Sequence, residues 1–540
     1  MYKDIFMHSV FNNKQIIIFS ISLLLFYFFS THLSNNIFYV GDDFTMLYFK
    51  DTNYLKSFLF TDSWWRPFKN IFYNYFNLNF YLDAYLIIKV KIFLHILITA
   101  IIYFYFYNLS KNANLSLILS ILFLIHQSGV MATISIDTVG QQLCTLFGIL
   151  SFIFTKAFCN KNKLKYLFFA LFLTFLSLLS KENGTSFLLI NSLVLIFFNS
   201  GDRILSFKNQ FSKNFIPILL FVFIFLLFLL LRFNLNATWN PSFGNERYSI
   251  NIVKSIFNLL QYNFSILSPI DNTLIYLILK NLNTYNIFIV LFIGILILYY
   301  FLLHFKIKFN KNLLLFLLLF LSSSIPVIFL SHISELYTYH SIFFFCLFLL
   351  NILKQNCRYN KIKITLVCLF IIFSSISYFV KLNNVNKNSI LSKNLFNYFE
   401  NLKFEEKNKS TIYFIENKEN STKYSIFKIN SIEMFIPRFY VRNKFNFYFL
   451  PINDKNFNIY SNGENLKFNP GDGKEFKNLP KKILTDPNLM ILFLKAQKNL
   501  INIKEVINYY LFQNQCIVVI SPINKINNKI CNNNSLIKIL

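Results

Sequence analysis

Two aspartates, Asp42 and Asp43, stand side by side in "IFYVGDDFTMLYF", a few residues after an almost unbroken apolar run. A carboxylate beside a bilayer is costly unless it is solvated or partnered, so the pair needs a reason. Two readings are open. Gly41 and the acids suit a turn and a helix N-cap ahead of "FTMLYF", and one carboxylate equally suits a general base. Other ionisable residues bear on the choice. Arg66-Pro67 in "WWRPF" follows in the same loop, Lys181-Glu182 stands in "LLSKENGTS", and His126 in "LIHQSGV"; Arg232, Arg247 and Glu335 complete the set. Singly, each reads as an interfacial anchor or half of a structural pair. Together, acids and convergent bases at one depth suit a phosphate-bearing substrate. Lys89, Lys91 and His95 differ, because they lie within an apolar run. Lys91 and His95 are four apart and share a helix face, so burial implies an internal partner and favours a structural role.

The elements that carry these residues are membrane helices. Of 540 residues, 55% are hydrophobic, only 14% are charged and 71 are Phe, whereas soluble chains carry about a quarter charged residues. About 20 apolar residues cross a bilayer. The apolar runs predict eleven spans, near 15–33, 84–107, 115–131, 138–157, 164–180, 184–200, 214–233, 286–304, 312–330, 337–354 and 363–380. The net charge of +28 does not point to nucleic acid, because the basic residues punctuate the spans instead of forming one patch. They fall in alternate loops: Lys3 and Lys14; Lys111; Lys156 to Lys165; Arg203 to Lys213; Lys306 to Lys311; Lys354 to Lys363. Short cytoplasmic loops collect such residues, so the amino terminus is expected inside and the tail, after eleven crossings, outside. The first span has no small-residue cleavage site and reads as a retained anchor. The seven cysteines form no CxxC pair and give no metal spacing; Cys516 and Cys531, in the tail, are able to pair if the compartment oxidises thiols.

Two outer loops are long, about 34–83 and about 234–285. The membrane part covers residues 1–380. Beyond 381 the composition turns to Asn and Lys with alternating runs such as "STIYFIEN" and "KFNFYFLPIN", which predict strands. "NLMILFLKAQKNL" after Pro487 predicts a helix. A small mixed α/β extracytoplasmic domain is therefore expected over 381–540, without His, Gly-rich phosphate loop or Ser-His-Asp set.

The order of these segments resembles the polytopic glycosyltransferases of the GT-C superfamily, and within it bacterial relatives of protein O-mannosyltransferases and of transmembrane O-mannosyltransferases with tetratricopeptide repeats. The series that carries the likeness is "GDDF", "WWRPF", "KVKIFLHILITAIIY", "HQSGVMATISIDTVGQQLCTLFGIL", "LLSKENG", "LLLRF" and "SELYTYHS", over residues 10–380. The chain departs from the pattern in having Lys91 for Asn, Gln127 for Pro, Gln141 and Gln142 where an Arg or acid is usual, and Leu336 for Arg. No tetratricopeptide repeats follow.

The resemblance implies transfer of a sugar from a polyprenyl-phosphate carrier to a protein, lipid or glycan acceptor at the outer face, inverting at the anomeric carbon. Asp43 would then be the base and Asp42 a supporting acid. Arg66, Lys181, Arg232 and Arg247 would bind the donor phosphate; Glu182, His126, His95 and Glu335 would support them. Some members of the superfamily use a divalent metal and others none, and two adjacent acids do not decide it. The same hydropathy also fits a polysaccharide polymerase or ligase, a lipid-linked sugar flippase, or a structural protein displaying its outer domain. A transporter should show Gly- or Pro-broken helices and half-repeats, whereas this chain has 11 Gly and 11 Pro.

Overall fold

The computed structural model describes residues 13–39, 43, 53–59, 65–80, 83–198, 211–235, 252–270, 311–330, 334–355, 360–401, 411–417, 446–453, 456–457, 460–461 and 466–467. The described chain is mostly helical. In order the helices are α1 (Asn13–Leu33), α2 (Tyr54–Leu59), α3 (Pro67–Asn79), α4 (Ala84–Ser110), α5 (Ala113–Ile125), α6 (Val130–Ile134) and α7 (Val139–Lys161). There follow α8 (Leu164–Ser180), α9 (Thr185–Phe197), α10 (Phe215–Asn234), α11 (Ile252–Leu267), α12 (Lys311–Ser322), α13 (Tyr339–Lys354) and α14 (Asn360–Asn401). The chain divides into two compact units, Met1–Ile37 with Met46–Asn386, and Phe38–Thr45 with Lys387–Leu540.

Among the described residues six helical segments are long and apolar enough to cross a membrane: Lys14–Leu33, Ala84–Ser110, Ile136–Lys161, Phe215–Asn234, Glu335–Lys354 and Lys361–Lys387. A seventh crossing results if the pair Ala113–Ile125 and Gln127–Ile134, bent by 46°, is one span. The expected spans near 164–180, 184–200 and 312–330 fall on shorter apolar helices, and that near 286–304 lies outside the described residues. These helices also turn large apolar side chains outward, among them Leu24, Phe28, Phe93, Phe168, Ile216 and Leu230, each more than half exposed. Apolar surface on that scale does not face water. The chain is an integral membrane protein.

Local sequence explains the hairpins. Asp83 caps α4 by accepting from the Leu86 amide at 2.9 Å, and Asn112 caps α5 from the Leu115 amide at 3.1 Å. Lys111 (φ 56°) and Asn162 (φ 49°) adopt the left-handed conformation that ends α4 and α7, which lets α5 and α8 turn straight back. The core of the first unit is aromatic: Phe106 stacks on Phe343 at 5.8 Å, and Phe152 meets both Phe343 and Phe344 edge-on. Water cannot pull membrane helices together, so close approach and buried hydrogen bonds do. A Cβ on Gly148 of α7 would stand 2.0 Å from the Phe187 ring of α9. Ser151, Thr174 and Asn191 join α7, α8 and α9: Ser151 Oγ lies 2.6 Å from Thr174 Oγ1, and Asn191 Nδ2 donates to Ser151 Oγ at 2.7 Å.

In the second unit, β1 (Thr411–Asn417) pairs in parallel with β2 (Asn446–Asn453), Thr411 opposite Asn446. β2 runs antiparallel to β3 (Asn456–Phe457) and β4 (Tyr460–Ser461), and β4 to β5 (Leu466–Lys467). The helix expected after Pro487 and both tail cysteines lie outside the described residues.

Candidate functional site

One end of the helices in the first unit carries most of the buried charge, and four short 3-10 turns build it: Gln127–Gly129, Ile136–Thr138, Glu182–Gly184 and Glu335–Thr338. Each interrupts a helix and turns polar groups inward. The break at Glu182 begins where extended Lys181 (φ −163°, ψ 151°) ends α8. The chain then folds back so tightly that a Cβ on Gly184 would lie 2.7 Å from the Leu178 nitrogen and the Ser177 carbonyl carbon. Backbone cannot yield there, so Gly184→Ala is expected to cost about 1–3 kcal/mol. Gly129→Ala, whose Cβ would meet the Tyr339 ring at an ordinary 3.8 Å, should change the unfolding temperature far less.

Arg66 comes to this turn from the first loop. Pro67 at the first position of α3 fixes where the helix starts. Trp65 donates from Nε1 to the Phe58 carbonyl at 2.9 Å and stacks on Phe228 of α10 at 6.2 Å. Trp65 is thereby buried as the anchor beside Arg66, because Phe228 offers a ring to cover it. The Arg66 fork grips Glu182, Nε at 3.1 and 3.0 Å from the two carboxylate oxygens and Nη2 at 2.8 Å. Arg232, at the end of α10 and 3% exposed, brings Nη1 to 3.9 Å from Glu182 Oε1.

A second carboxylate extends the cluster. Asp137 accepts from Ser135 Oγ at 2.8 Å and interacts electrostatically with Lys69, Lys181 and Lys91. Lys91 donates from Nζ to the Ser135 carbonyl and, at 2.5 Å, to Thr138 Oγ1; Tyr73 of α3 donates to the Ile136 carbonyl. A Cβ on Gly140 would lie 2.7 Å from the Ser180 carbonyl and 3.6 Å from Lys69 Cβ. That glycine lets the ends of α3, α7 and α8 converge. Arg66, Arg232, Lys181, Lys69 and Lys91 thus surround Glu182 and Asp137, five cations to two carboxylates. Burial draws the Lys181 ammonium down to about 8, Arg66 adds to this, and Asp137 and Glu182 oppose it. The Tyr337 ring covers it, its centroid 5.1 Å from Nζ.

The histidines hold helix ends together. His95 donates from Nε2 to the Leu124 carbonyl at 2.9 Å, so its Nδ1 accepts from the Tyr339 hydroxyl at 2.5 Å. His126 accepts from the Ser128 amide at Nδ1 and donates from Nε2 to the Ile266 carbonyl at 2.9 Å. Both rings have both nitrogens engaged. Glu335 pairs at 2.5 Å with Lys381, which also donates to Gln127 Oε1 at 2.6 Å. Gln141 accepts from Asn183 Nδ2 at 3.1 Å and donates to His340 Nδ1 at 3.3 Å, and Gln142 donates to the Lys91 carbonyl at 3.0 Å. These glutamines tie helices together.

No family model, curated protein or solved structure matches the chain.

Of the residues singled out from sequence, Arg66, Lys181, Glu182 and Arg232 come together. Glu335 and His126 stand around Gln127 and Lys381, and His95 lies in the core. Asp43 is 4% exposed and belongs to the second unit; Asp42 and Arg247 lie outside the described residues. Among the described residues, no three His, Cys, Asp or Glu side chains are grouped to hold a metal ion. Sequence reasoning passed over Asp137, Lys69 and Lys381. Asp137 carried a signal, being the one acid between Asp83 and Glu182.

Proposed function

We propose that the chain is a membrane glycosyltransferase of the GT-C kind, with eleven crossings, its amino terminus in the cytoplasm and its tail outside. It moves a sugar from a polyprenyl-phosphate donor to a protein, lipid or glycan acceptor. The observation that carries this reading is the cluster of Arg66, Arg232, Lys181, Lys69 and Lys91, where three more cations than carboxylates meet at one end of the bundle. A phosphate that gains charge as it leaves is stabilised by such fixed cations, and Arg suits it by geometry. Glu182 holds the Arg66 fork in one orientation, which spares that side chain the cost of ordering when the donor binds.

In the reaction the acceptor hydroxyl attacks the anomeric carbon, the bond from that carbon to the phosphate oxygen breaks, and the electron pair leaves with the lipid phosphate. The hydroxyl proton passes to a carboxylate. The sequence resemblance gives that role to Asp43 and a supporting one to Asp42. Release of the lipid phosphate together with labelling of an acceptor by purified protein tests the reading; no release with any polyprenyl-phosphate sugar would sink it.

Lys181 gives the reaction a pH signature. Its ammonium is present below about 8 and lost above it, so donor binding should weaken as the pH rises through that value. KM for the lipid donor is expected to rise several-fold between about pH 7 and pH 9, with kcat less affected. In Lys181→Arg, which stays charged, the rise should vanish.

A further inference from the structure

The opposite end of the first unit is as one-sided as the site is mixed. All four described carboxylates of that unit, Asp83, Asp137, Glu182 and Glu335, stand where α4, α7, α9 and α13 begin. At the other ends of these helices and their antiparallel partners the described charged side chains are lysines. Most are exposed and solvated, but Lys156 is 9% exposed and Lys363 is 3% exposed. Lys156 donates from Nζ to the Tyr105 hydroxyl at 3.1 Å and lies 5.2 and 5.1 Å from the centroids of the Tyr105 and Phe198 rings. Among the described residues another cation, Lys354, acts on it electrostatically, and Lys354 itself donates to the Leu109 carbonyl at 3.0 Å. Tyr105 and Leu109 are four apart on α4, so both ammoniums are anchored to one face of that helix. Lys363 Nζ has no hydrogen-bond partner among the described residues. Glu335 meets Lys381 and, ten residues on, Phe345 packs on Phe370 at 5.9 Å, so α14 runs antiparallel to α13 and Lys363 lies near the level of Lys354.

Two ammoniums held on one face of α4, one of them buried, with no carboxylate beside them among the described residues, are unfavourable without an anion. Phosphate of a phospholipid meets the need: its two non-bridging oxygens give each ammonium an acceptor, and headgroups lie where apolar spans end. A lipid is favoured over free phosphate because Leu164 and Phe168 of α8 and Ile216 of α10, at the same end, are 65–77% exposed and offer a path for acyl chains. We propose that the phosphate of an anionic phospholipid seats between Lys156 and Lys354, bridging α7 and α13 over the last turns of α4.

Native mass spectrometry of the full-length protein in detergent tests this, with phosphatidylglycerol or phosphatidylcholine added. Phosphatidylglycerol should be retained at least fivefold better. Lys354→Gln, at an exposed position compatible with folding, should remove most of that preference, and Lys354→Arg should keep it. Lys165→Gln, an exposed lysine at the same end, should leave it intact. Equal retention of the two lipids, or equal loss in Lys354→Gln and Lys165→Gln, would overturn the site. Displacement of the lipid by millimolar inorganic phosphate would overturn the lipid as its occupant.

Discussion

Asp43→Asn is expected to slow sugar transfer from a polyprenyl-phosphate donor by about 10²–10⁴-fold, the range that a positioned general base supplies. Asn matches Asp in size but does not take the acceptor proton. Asp43 is 4% exposed, and an amide is easier to bury than a carboxylate, so the variant should fold and elute as the parent does. Initial rates of lipid phosphate release and of acceptor labelling measure the effect. Asp42→Asn, removing only a supporting charge, should cost less. Asp137→Asn is the discriminating control. That acid helps to keep Lys181 charged, so its loss should leave fewer molecules with a Lys181 ammonium near neutral pH, weaken donor binding and raise KM more than it lowers kcat. If Asp43→Asn kept the full rate and Asp137→Asn abolished it, the base would be Asp137.

What the sequence made legible followed from physics that acts locally along the chain. Apolar length placed the helices, and the alternation of lysine-rich connections separated their two ends, because charge is costly inside a bilayer wherever it occurs. The convergence of Arg66, Glu182 and Arg232 was foreshadowed only as residues at one depth. Their contact depends on three-dimensional details: Trp65 packing on Phe228, and the missing side chains of Gly140 and Gly184. Asp137 escaped notice because an isolated acid at the head of an apolar run looks like a helix cap. Lys381 escaped because a lysine just past a span looks like a snorkelling anchor, whereas it is fully buried against Glu335 and Gln127. The glutamines that depart from the superfamily pattern gained a reason only from the fold, as ties between helices.

Glu335→Gln should be the most destabilising of the charge-removing substitutions. Lys381 is fully buried and Glu335 is 13% exposed, at 2.5 Å, whereas Arg66 and Glu182 are 20% and 22% exposed and are partly relieved by solvent. Without the Glu335 carboxylate, the buried ammonium is left to neutral acceptors such as Gln127 Oε1, and breaking a buried pair in this way costs about 3–5 kcal/mol. Lys381→Met added to Glu335→Gln removes the stranded charge and should recover most of the loss, since an apolar replacement of both partners is often neutral. Thermal unfolding in detergent across the four members of this cycle measures the coupling. The effect should reach the site as well. Glu335 opens the 3-10 turn that carries Tyr337 to its place over Lys181, so the single variant should also raise KM for the lipid donor at temperatures where it stays folded. A stable Glu335→Gln protein would mean that the pair does not hold the turn by charge.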